Sequence, residues 1–234
     1  MASTSRSRSA VVSLLDVDNT LLNNDRVAED LKRHLTREVG VQSQERYWAI
    51  FEALRQELGY ADYLGALQRY RVEHQHDTHL YEISSYLVDY PFANRLYPGS
   101  LDVIEHLSAF GPTVILSDGD VVFQPRKVER SALGEAVDGR VLIYIHKEQE
   151  LADVERRYPA DHYLLVDDKI RILTAIKKVW GERVTTIFPR QGHYAHAPDV
   201  AKYPAADVTI EGIGDLVNYD LSKLLGAASA KPKS

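Results

Sequence analysis

The chain contains 234 residues, of which 44% are hydrophobic and 26% charged, a composition typical of a globular protein with a sizeable core. Its formal net charge is −6 and its lysines and arginines are scattered, which argues against a nucleic-acid partner. It has no cysteine, so disulfide bonds, thiolate catalysis and cysteine-ligated zinc are excluded. No apolar run approaches the length of a membrane span, so we expect no membrane partner and a cytoplasmic protein.

The first structural signal is a short strand followed by a helical block. Residues 1–10 are rich in serine and arginine, and they are predicted to be a disordered tail, as are residues 226–234. Residues 11–15 are apolar and β-branched at their start, which predicts a buried strand. Apolar residues then recur at helical spacing, with stop signals at Gly40 and Gly59. The predicted helices cover about residues 27–39, 43–58, 63–76 and 80–88.

Beyond residue 95, strand and helix patterns alternate along the chain. Strands are predicted at residues 113–116, 141–145, 163–166, 184–188 and 208–210, and helices at 101–110, 125–133, 151–158, 170–179 and 213–225. Such alternation is typical of a parallel sheet covered on both faces. We therefore predict an α/β fold with a doubly wound, Rossmann-like core formed by residues 11–22 and 96–225. The helical block, residues 23–95, is interpreted as an inserted α-helical cap.

Two carboxylates, Asp16 and Asp18, follow the first strand at a spacing of two residues. Side chains alternate along extended backbone, so both carboxylates would point the same way. Two like charges at this distance are tolerated mainly when a cation lies between them or one of them carries a proton. The pair is therefore a candidate for Mg²⁺ binding together with covalent or acid/base chemistry. Taken alone, the motif can also be an acidic turn after an edge strand.

Three more predicted strands end in polar residues. They are followed by Ser117-Asp118, His146-Lys147 and Asp167-Asp168. Because ligands of parallel sheets bind at the carboxyl ends of the strands, we expect these residues to converge on one rim. Taken alone, Ser117 is more simply a helix N-cap or a serine turn, and Lys147 a solvated surface charge.

The order Asp-x-Asp-x-Thr, Ser, Lys and Asp-Asp resembles the haloacid dehalogenase-like (HAD) hydrolase superfamily, whose members are mostly Mg²⁺-dependent phosphatases. The resemblance covers about residues 11–225. The run Asp-Val-Asp-Asn-Thr-Leu is its most specific part, and Tyr97-Pro98-Gly99 is similar to the segment that returns from the cap. The resemblance implies Mg²⁺ as the cofactor and a small phosphorylated molecule as the partner.

The resemblance also implies a role for each matching residue. Asp16 would be the nucleophile that forms an aspartyl-phosphate, and Asp18 the general acid/base. Asp18 would reach the metal through its backbone carbonyl rather than its carboxylate. Lys147 would neutralise charge between the nucleophile and the phosphoryl group. Lys127 competes for this role because it also lies between the serine and the acidic pair.

The remaining implied roles concern phosphate and metal. The hydroxyl of Ser117, with the backbone N–H groups of Asp118 and Gly119, would hold the phosphate. Asp168 aligns best with the metal-binding aspartate, and it would complete an oxygen-rich site with Asp16. Asp167 would be either a direct ligand or a neighbour of the ligands.

Three positions depart from the family pattern and keep alternatives open. Asp118 stands where many relatives have Asn, Glu148 where Pro is common, and Arg171 where a further acid is frequent. The alternatives are a phosphomutase or other phosphotransferase, a dehalogenase, and a catalytically weak phosphate-binding module. Two histidine groups are not assigned to the site: His74, His76 and His79 are interpreted as surface or cap-rim residues, and His193 and His196 as a loop near the rim.

Overall fold

The computed structural model describes residues 8–221, so most of the two predicted tails and the end of the predicted helix 213–225 lie outside the described residues. Six parallel strands form one sheet in the order β3-β2-β1-β4-β5-β6. The strands are β1 Ser9–Leu15, β2 Thr113–Asp118, β3 Val141–Tyr144, β4 Ala160–Val166, β5 Val184–Pro189 and β6 Val208–Ile210. The order reverses direction at β1, so the α/β doubly wound prediction is confirmed.

The first strand begins earlier than the sequence predicts. Ser9 pairs with Ala160, and its backbone N–H donates to the carbonyl of Pro159 at 2.9 Å. Residues 9 and 10 therefore belong to β1 and not to the predicted tail. Their polar, small side chains hide the strand from a hydrophobic pattern, whereas backbone pairing with β4 holds them in the sheet.

Four α-helices lie between β1 and β2, the first of them the longest, and further helices alternate with the later strands. The helices are α1 Asn24–Leu58, α2 Tyr63–Glu73, α3 Leu80–Asp89, α4 Ser100–Ser108, α5 Phe123–Arg130, α6 Leu133–Ala136, α7 Leu151–Arg157, α8 Ile170–Trp180 and α9 Gly192–Ala195. Helix α1 is kinked at Gly40, whose φ of 84° and ψ of 167° are not helical. The predicted stop at Gly40 is thus a break, past which the helix resumes at once.

Two other predicted helices differ from the structure. The one at residues 125–133 starts earlier, at Phe123, and ends at Arg130, and Ala132 adopts a left-handed φ of 64° before α6. The described part of the helix predicted from residue 213 is a 3₁₀ helix, Ile213–Asn218. Gly214 packs there so closely on the backbone that an added Cβ would lie 2.7 Å from the carbonyl oxygen of Pro98. A glycine in the first turn also weakens an α-helix.

Apolar side chains form two buried clusters, one on each face of the sheet. Helices α1–α3 share one continuous cluster with one sheet face, to which Leu31, Phe51 and Tyr63 contribute from the helices and Leu15 and Ile115 from the strands. Helices α7 and α8 pack on the opposite face. Within residues 8–221, no helix combines the length and the apolar character needed to cross a membrane.

Candidate active site

The carboxyl ends of three neighbouring strands build the site. Asp16 follows β1, Ser117 and Asp118 are the last residues of β2, and Asp167 and Asp168 follow β4. Because β1 lies between β2 and β4, these residues meet on one rim, as the sequence predicts. The backbone N–H of Asp16 donates to the carbonyl of Val166 at 3.0 Å, which carries the sheet pairing into the site.

Asp18 lies in a tight turn that follows β1. The backbone N–H groups of Leu21 and Leu22 both donate to the carbonyl of Val17, and Asn19 has a left-handed φ of 60°. The side chain of Gln191 donates to the carbonyls of Asn19 and Thr20 at 3.0 and 2.6 Å. Sequence reasoning does not find Gln191, because its partners are backbone atoms about 170 residues away.

Lys147 lies fully buried between two carboxylates. Its Nζ is 2.6 Å from Asp16 Oδ1 and 2.6 Å from Asp167 Oδ2, and it donates to the carbonyl of Leu116 at 3.1 Å. Burial lowers the pKa of Lys147, but the nearby Asp16, Asp167 and Asp118 outweigh burial and raise it above its ordinary value. Lys147 is therefore a fixed positive charge beside Asp16, which is the position expected for it.

Asp168 is buried without a hydrogen-bond partner for either carboxylate oxygen among residues 8–221. Carboxylate oxygens of Asp16, Asp167 and Asp168 lie within 4.8 Å of one another. Burial raises the pKa of Asp167 to about 6 and that of Asp168 well above its ordinary value, and neighbouring carboxylates add to both shifts. A hard divalent cation takes oxygen ligands and relieves such a cluster, so these residues fit Mg²⁺.

The second lysine named from the sequence contacts the other aspartate. Lys127 Nζ donates to Asp18 Oδ1 at 2.5 Å and to Asn24 Oδ1 at 3.0 Å. The Asp18 side chain keeps 21% of its surface exposed, whereas that of Lys127 keeps 1%. Each lysine is thus adjacent to a different member of the Asp16/Asp18 pair, with Lys147 on the side of the predicted nucleophile.

At the end of β2, Ser117 is held by a neighbouring amide. Gln124 Nε2 donates to Ser117 Oγ at 2.9 Å, and the Ser117 hydroxyl itself donates to the carbonyl of Asp118 over a long distance of 3.4 Å. Gly119 permits the contact with Gln124, because an added Cβ would lie 2.6 Å from the Cβ of Gln124. The backbone N–H of Gly119, however, donates to the carbonyl of Tyr144 at 3.0 Å. Its predicted role as a phosphate donor is therefore wrong for this structure, because strand pairing already uses that N–H.

The departures from the family pattern find partners inside the protein. Asp118 Oδ1 accepts from the backbone N–H of Lys147 at 2.7 Å, and burial raises the pKa of Asp118. Arg171 Nη1 donates to Glu148 Oε1 at 2.7 Å. Burial alone would raise the pKa of Glu148, but the contact with Arg171 lowers it overall. Glu148 and Arg171 therefore compensate each other as an ion pair at the edge of the site.

A cavity of about 660 Å³ lies between the rim and helices α1 and α2. Its rim side presents Asp18, Asp118, Lys127, Lys169 and Arg171, and its helical side presents Trp48, Phe51, Arg55, Tyr60 and Tyr63. The cavity is therefore polar and mostly charged toward the strand ends and aromatic toward the helices.

The two histidine groups differ in their position. His193 lines the cavity, and its Nδ1 lies 2.6 Å from Asp25 Oδ1. His74 ends α2, and His79 Nδ1 lies 3.0 Å from Asp77 Oδ1 at the surface. Within the described part of the chain, the one set of three or more potential metal ligands is the aspartate trio, so His74, His76 and His79 do not form a second.

Residues 12–179 match the model of the haloacid dehalogenase-like hydrolase family. Among solved structures, the chain is similar to a haloacid dehalogenase-like hydrolase from Burkholderia xenovorans, with 63% identity and a TM-score of 0.87 over 91% of this chain and 99% of that one. The chain is also similar to a haloacid dehalogenase-like family hydrolase from Xanthomonas campestris, with 18% identity and a TM-score of 0.61 over 94% of each chain. L-2-haloacid dehalogenase from Xanthobacter autotrophicus, with chloropropionic acid covalently bound, is 18% identical. The TM-score is 0.57 over 90% of this chain and 97% of that one.

No curated protein matches the chain. The likeness to the two structures at 18% identity shows that they share the fold with this chain. The family model, by contrast, spans more than half of the residues, and the Burkholderia protein is alike over almost its whole length. The chain belongs to the haloacid dehalogenase-like hydrolase family.

Proposed function

We propose that this protein hydrolyses a small phosphate monoester with Mg²⁺, through an aspartyl-phosphate on Asp16. The observation that carries the proposal is the buried trio of Asp16, Asp167 and Asp168, in which neither oxygen of Asp168 has a hydrogen-bond donor among the described residues. Burying an unsatisfied carboxylate costs free energy that a bound cation would offset. Mg²⁺ held by this trio, with the backbone carbonyl of Asp18, would neutralise charge on the phosphoryl oxygens.

Asp16 is oriented for attack by contacts to both of its oxygens. Oδ1 faces Lys147, and Oδ2 accepts from the hydroxyl of Thr20 at 3.3 Å. The backbone N–H of Asp168 donates to that same hydroxyl at 3.0 Å, so Thr20 ties the nucleophile to the metal-binding residue. In the first step an oxygen of Asp16 forms a bond to phosphorus, and the bond from phosphorus to the leaving oxygen breaks.

Asp18 is the proposed proton carrier of both steps. Its carboxyl group lines the cavity, where it can protonate the leaving oxygen and then take a proton from the water that attacks the aspartyl-phosphate. Lys147 and the hydroxyl of Ser117 stabilise the negative charge on the transferring group. Helices α1–α3 act as the cap that limits the access of water and determines the substrate.

The rival chemistries place different demands on these residues. Dehalogenation in this family needs neither a metal nor an acid/base at Asp18. A phosphomutase would have to retain the phosphorylated intermediate in the cavity. A phosphate-binding module would need neither the nucleophile nor the proton carrier.

A substrate panel tests the proposal. We expect the purified protein to hydrolyse p-nitrophenyl phosphate or acetyl phosphate with Mg²⁺, and EDTA to abolish turnover. Asp16→Asn should reduce the rate by at least about 1,000-fold while the circular dichroism spectrum is unchanged. Asp161→Asn is the matched control, because Asp161 is exposed and forms a surface ion pair with Arg8.

Two outcomes would contradict the proposal. Release of chloride from 2-chloropropionate without metal, with no phosphate released from any ester, would favour a dehalogenase. No turnover of either class across a broad panel would favour the binding module.

A further inference from the structure

Lys127 is a buried cation that the proposed chemistry does not yet use. It lies on α5, and its side chain keeps 1% of its surface exposed. Burying an ammonium group costs several kcal/mol unless charged and polar partners compensate it. An apolar residue would fill the same space at lower cost, so the partners of Lys127 indicate why a lysine is there.

The partners of Lys127 hold its ammonium group from several sides. Nζ donates to Asp18 Oδ1 at 2.5 Å and to Asn24 Oδ1 at 3.0 Å, and it lies 5.2 Å from the ring centre of Phe123. The first contact is the shorter and joins opposite charges, so Asp18 is the principal partner.

A second link connects this pair to the helices above the site. The side chain of Asn24 lies beside the hydroxyl of Tyr63 at the wall of the same cavity, where it lowers the pKa that burial raises. Tyr63 begins α2 and is buried. Its ring stacks on Phe51 with ring centres 4.5 Å apart and is tilted against Phe123 at 4.9 Å. A continuous chain of contacts therefore runs from α2 through Tyr63, Asn24 and Lys127 to Asp18.

We propose that Lys127 is a positioning residue, which holds the carboxylate of Asp18 at the cavity wall and ties its orientation to α2 through Asn24 and Tyr63. This rests on the proposed function, in which Asp18 carries protons. A free aspartate rotates about two side-chain bonds, whereas one bonded to a fixed lysine keeps one orientation. Lys147 thus donates to the nucleophile Asp16, and Lys127 donates to the proton carrier Asp18.

The kinetic test separates positioning of Asp18 from direct binding of phosphate. The nitrophenolate of p-nitrophenyl phosphate leaves without a proton, so formation of the aspartyl-phosphate depends little on Asp18. Hydrolysis of that intermediate depends on it strongly. Lys127→Met should therefore lower kcat by about 10- to 100-fold, lower KM with it, and produce an initial burst of nitrophenolate.

Three variants make this result specific. In the Asp18→Asn background, Lys127→Met should have almost no further effect, because its action passes through Asp18. Lys127→Arg should restore most of the rate, since a guanidinium can still donate to the carboxylate. Lys178→Met, the same change at an exposed position of α8, should leave kcat and KM unchanged.

Tyr63→Phe removes one hydroxyl and is a second test if Lys127→Met fails to fold. It should lower kcat less than Lys127→Met does and should also produce a burst. A raised KM without a burst, an effect that persists fully in Asp18→Asn, or unchanged kinetics in Lys127→Met and Tyr63→Phe would overturn the proposal. A wild-type protein that turns over no phosphate ester would instead overturn the proposed function, and this inference with it.

Discussion

Asp168 is the residue of the site whose surroundings most clearly require a ligand. Its carboxylate is buried, no described group donates to it, and burial together with Asp167 and Asp16 raises its pKa. A folded-state pKa above that of the unfolded chain means that, as pH rises past the ordinary carboxyl pKa, ionisation of Asp168 costs stability. At neutral pH and without metal, Asp168 therefore destabilises the fold.

Replacement of this residue tests that account. In EDTA at neutral pH, Asp168→Asn should melt at or above the temperature of the wild type, because the cost of the buried carboxyl group is removed. Mg²⁺ should stabilise the wild type, by about 2.7 kcal/mol at a concentration one hundred times the Kd, and should not stabilise the variant. Differential scanning calorimetry with and without Mg²⁺ measures both effects. An equal rise in melting temperature for both proteins would show that Mg²⁺ binds elsewhere.

Sequence reasoning names the charged residues of the site better than the residues that hold them. Asp16, Lys147 and Asp168 stand at strand ends, where order along the chain predicts position. Sequence reasoning does not identify Gln124 or Gln191. Gln124 supports Ser117 from α5, and Gln191 binds backbone carbonyls of the turn after β1. Such contacts depend on packing between distant segments, which no local pattern encodes.

At the scale of elements, one cluster joins α1 to the segment that returns to the sheet. Arg95 donates to Asp30 Oδ2 through Nε and Nη2 at 2.9 and 2.6 Å, and Tyr90 also donates to this oxygen. Burial raises the pKa of Asp30, but the donated hydrogen bonds outweigh burial and lower it below 3.8. The cluster thus stabilises the junction while Asp30 is ionised.

Because the pKa of Asp30 is lowered in the folded protein, the effect of Asp30→Asn on the free energy of unfolding should depend on pH. The contribution of Asp30 is complete above the unfolded carboxyl pKa of about 3.8 and is lost as pH falls through the lower folded value. At neutral pH the variant should lose about 1–3 kcal/mol of unfolding free energy. The difference from wild type should shrink well below pH 3.8.

Denaturant unfolding at both pH values measures this difference. The control is again Asp161→Asn, whose exposed ion pair should contribute under about 1 kcal/mol. A difference between wild type and Asp30→Asn that stays constant from neutral to acidic pH would refute the ionic origin of the stabilisation.

Sequence patterns predict the centres of helices and strands better than their boundaries. The strands are predicted within a few residues, because apolar runs mark their buried centres. The start of β1 at Ser9 and the 3₁₀ form of residues 213–218 are missed, since backbone pairing and the close packing of Gly214 decide them. Both are tertiary effects that override local propensity.

For the whole molecule, the order of strands places the chemistry. The sheet order reverses at β1, and the strand ends of β2 and β4 flank Asp16 there. Alternation of strands and helices indicates a parallel, doubly wound sheet but not the order of its strands, so the fold class is predictable from the sequence. The cavity between the rim and α1–α2 is not predictable from the sequence, because residues of separate helices that share one buried cluster form its aromatic wall.

The identity of the phosphorylated residue is the most direct test of the central claim. Asp18→Asn should slow hydrolysis of the intermediate, so that rapid mixing with p-nitrophenyl phosphate and Mg²⁺, followed by an acid quench, traps it. Mass spectrometry should then find one added phosphoryl group, carried by the peptide that contains Asp16 and absent after Asp16→Asn. Steady turnover with no phosphoryl group on the protein, or with that group on another residue, would contradict the account.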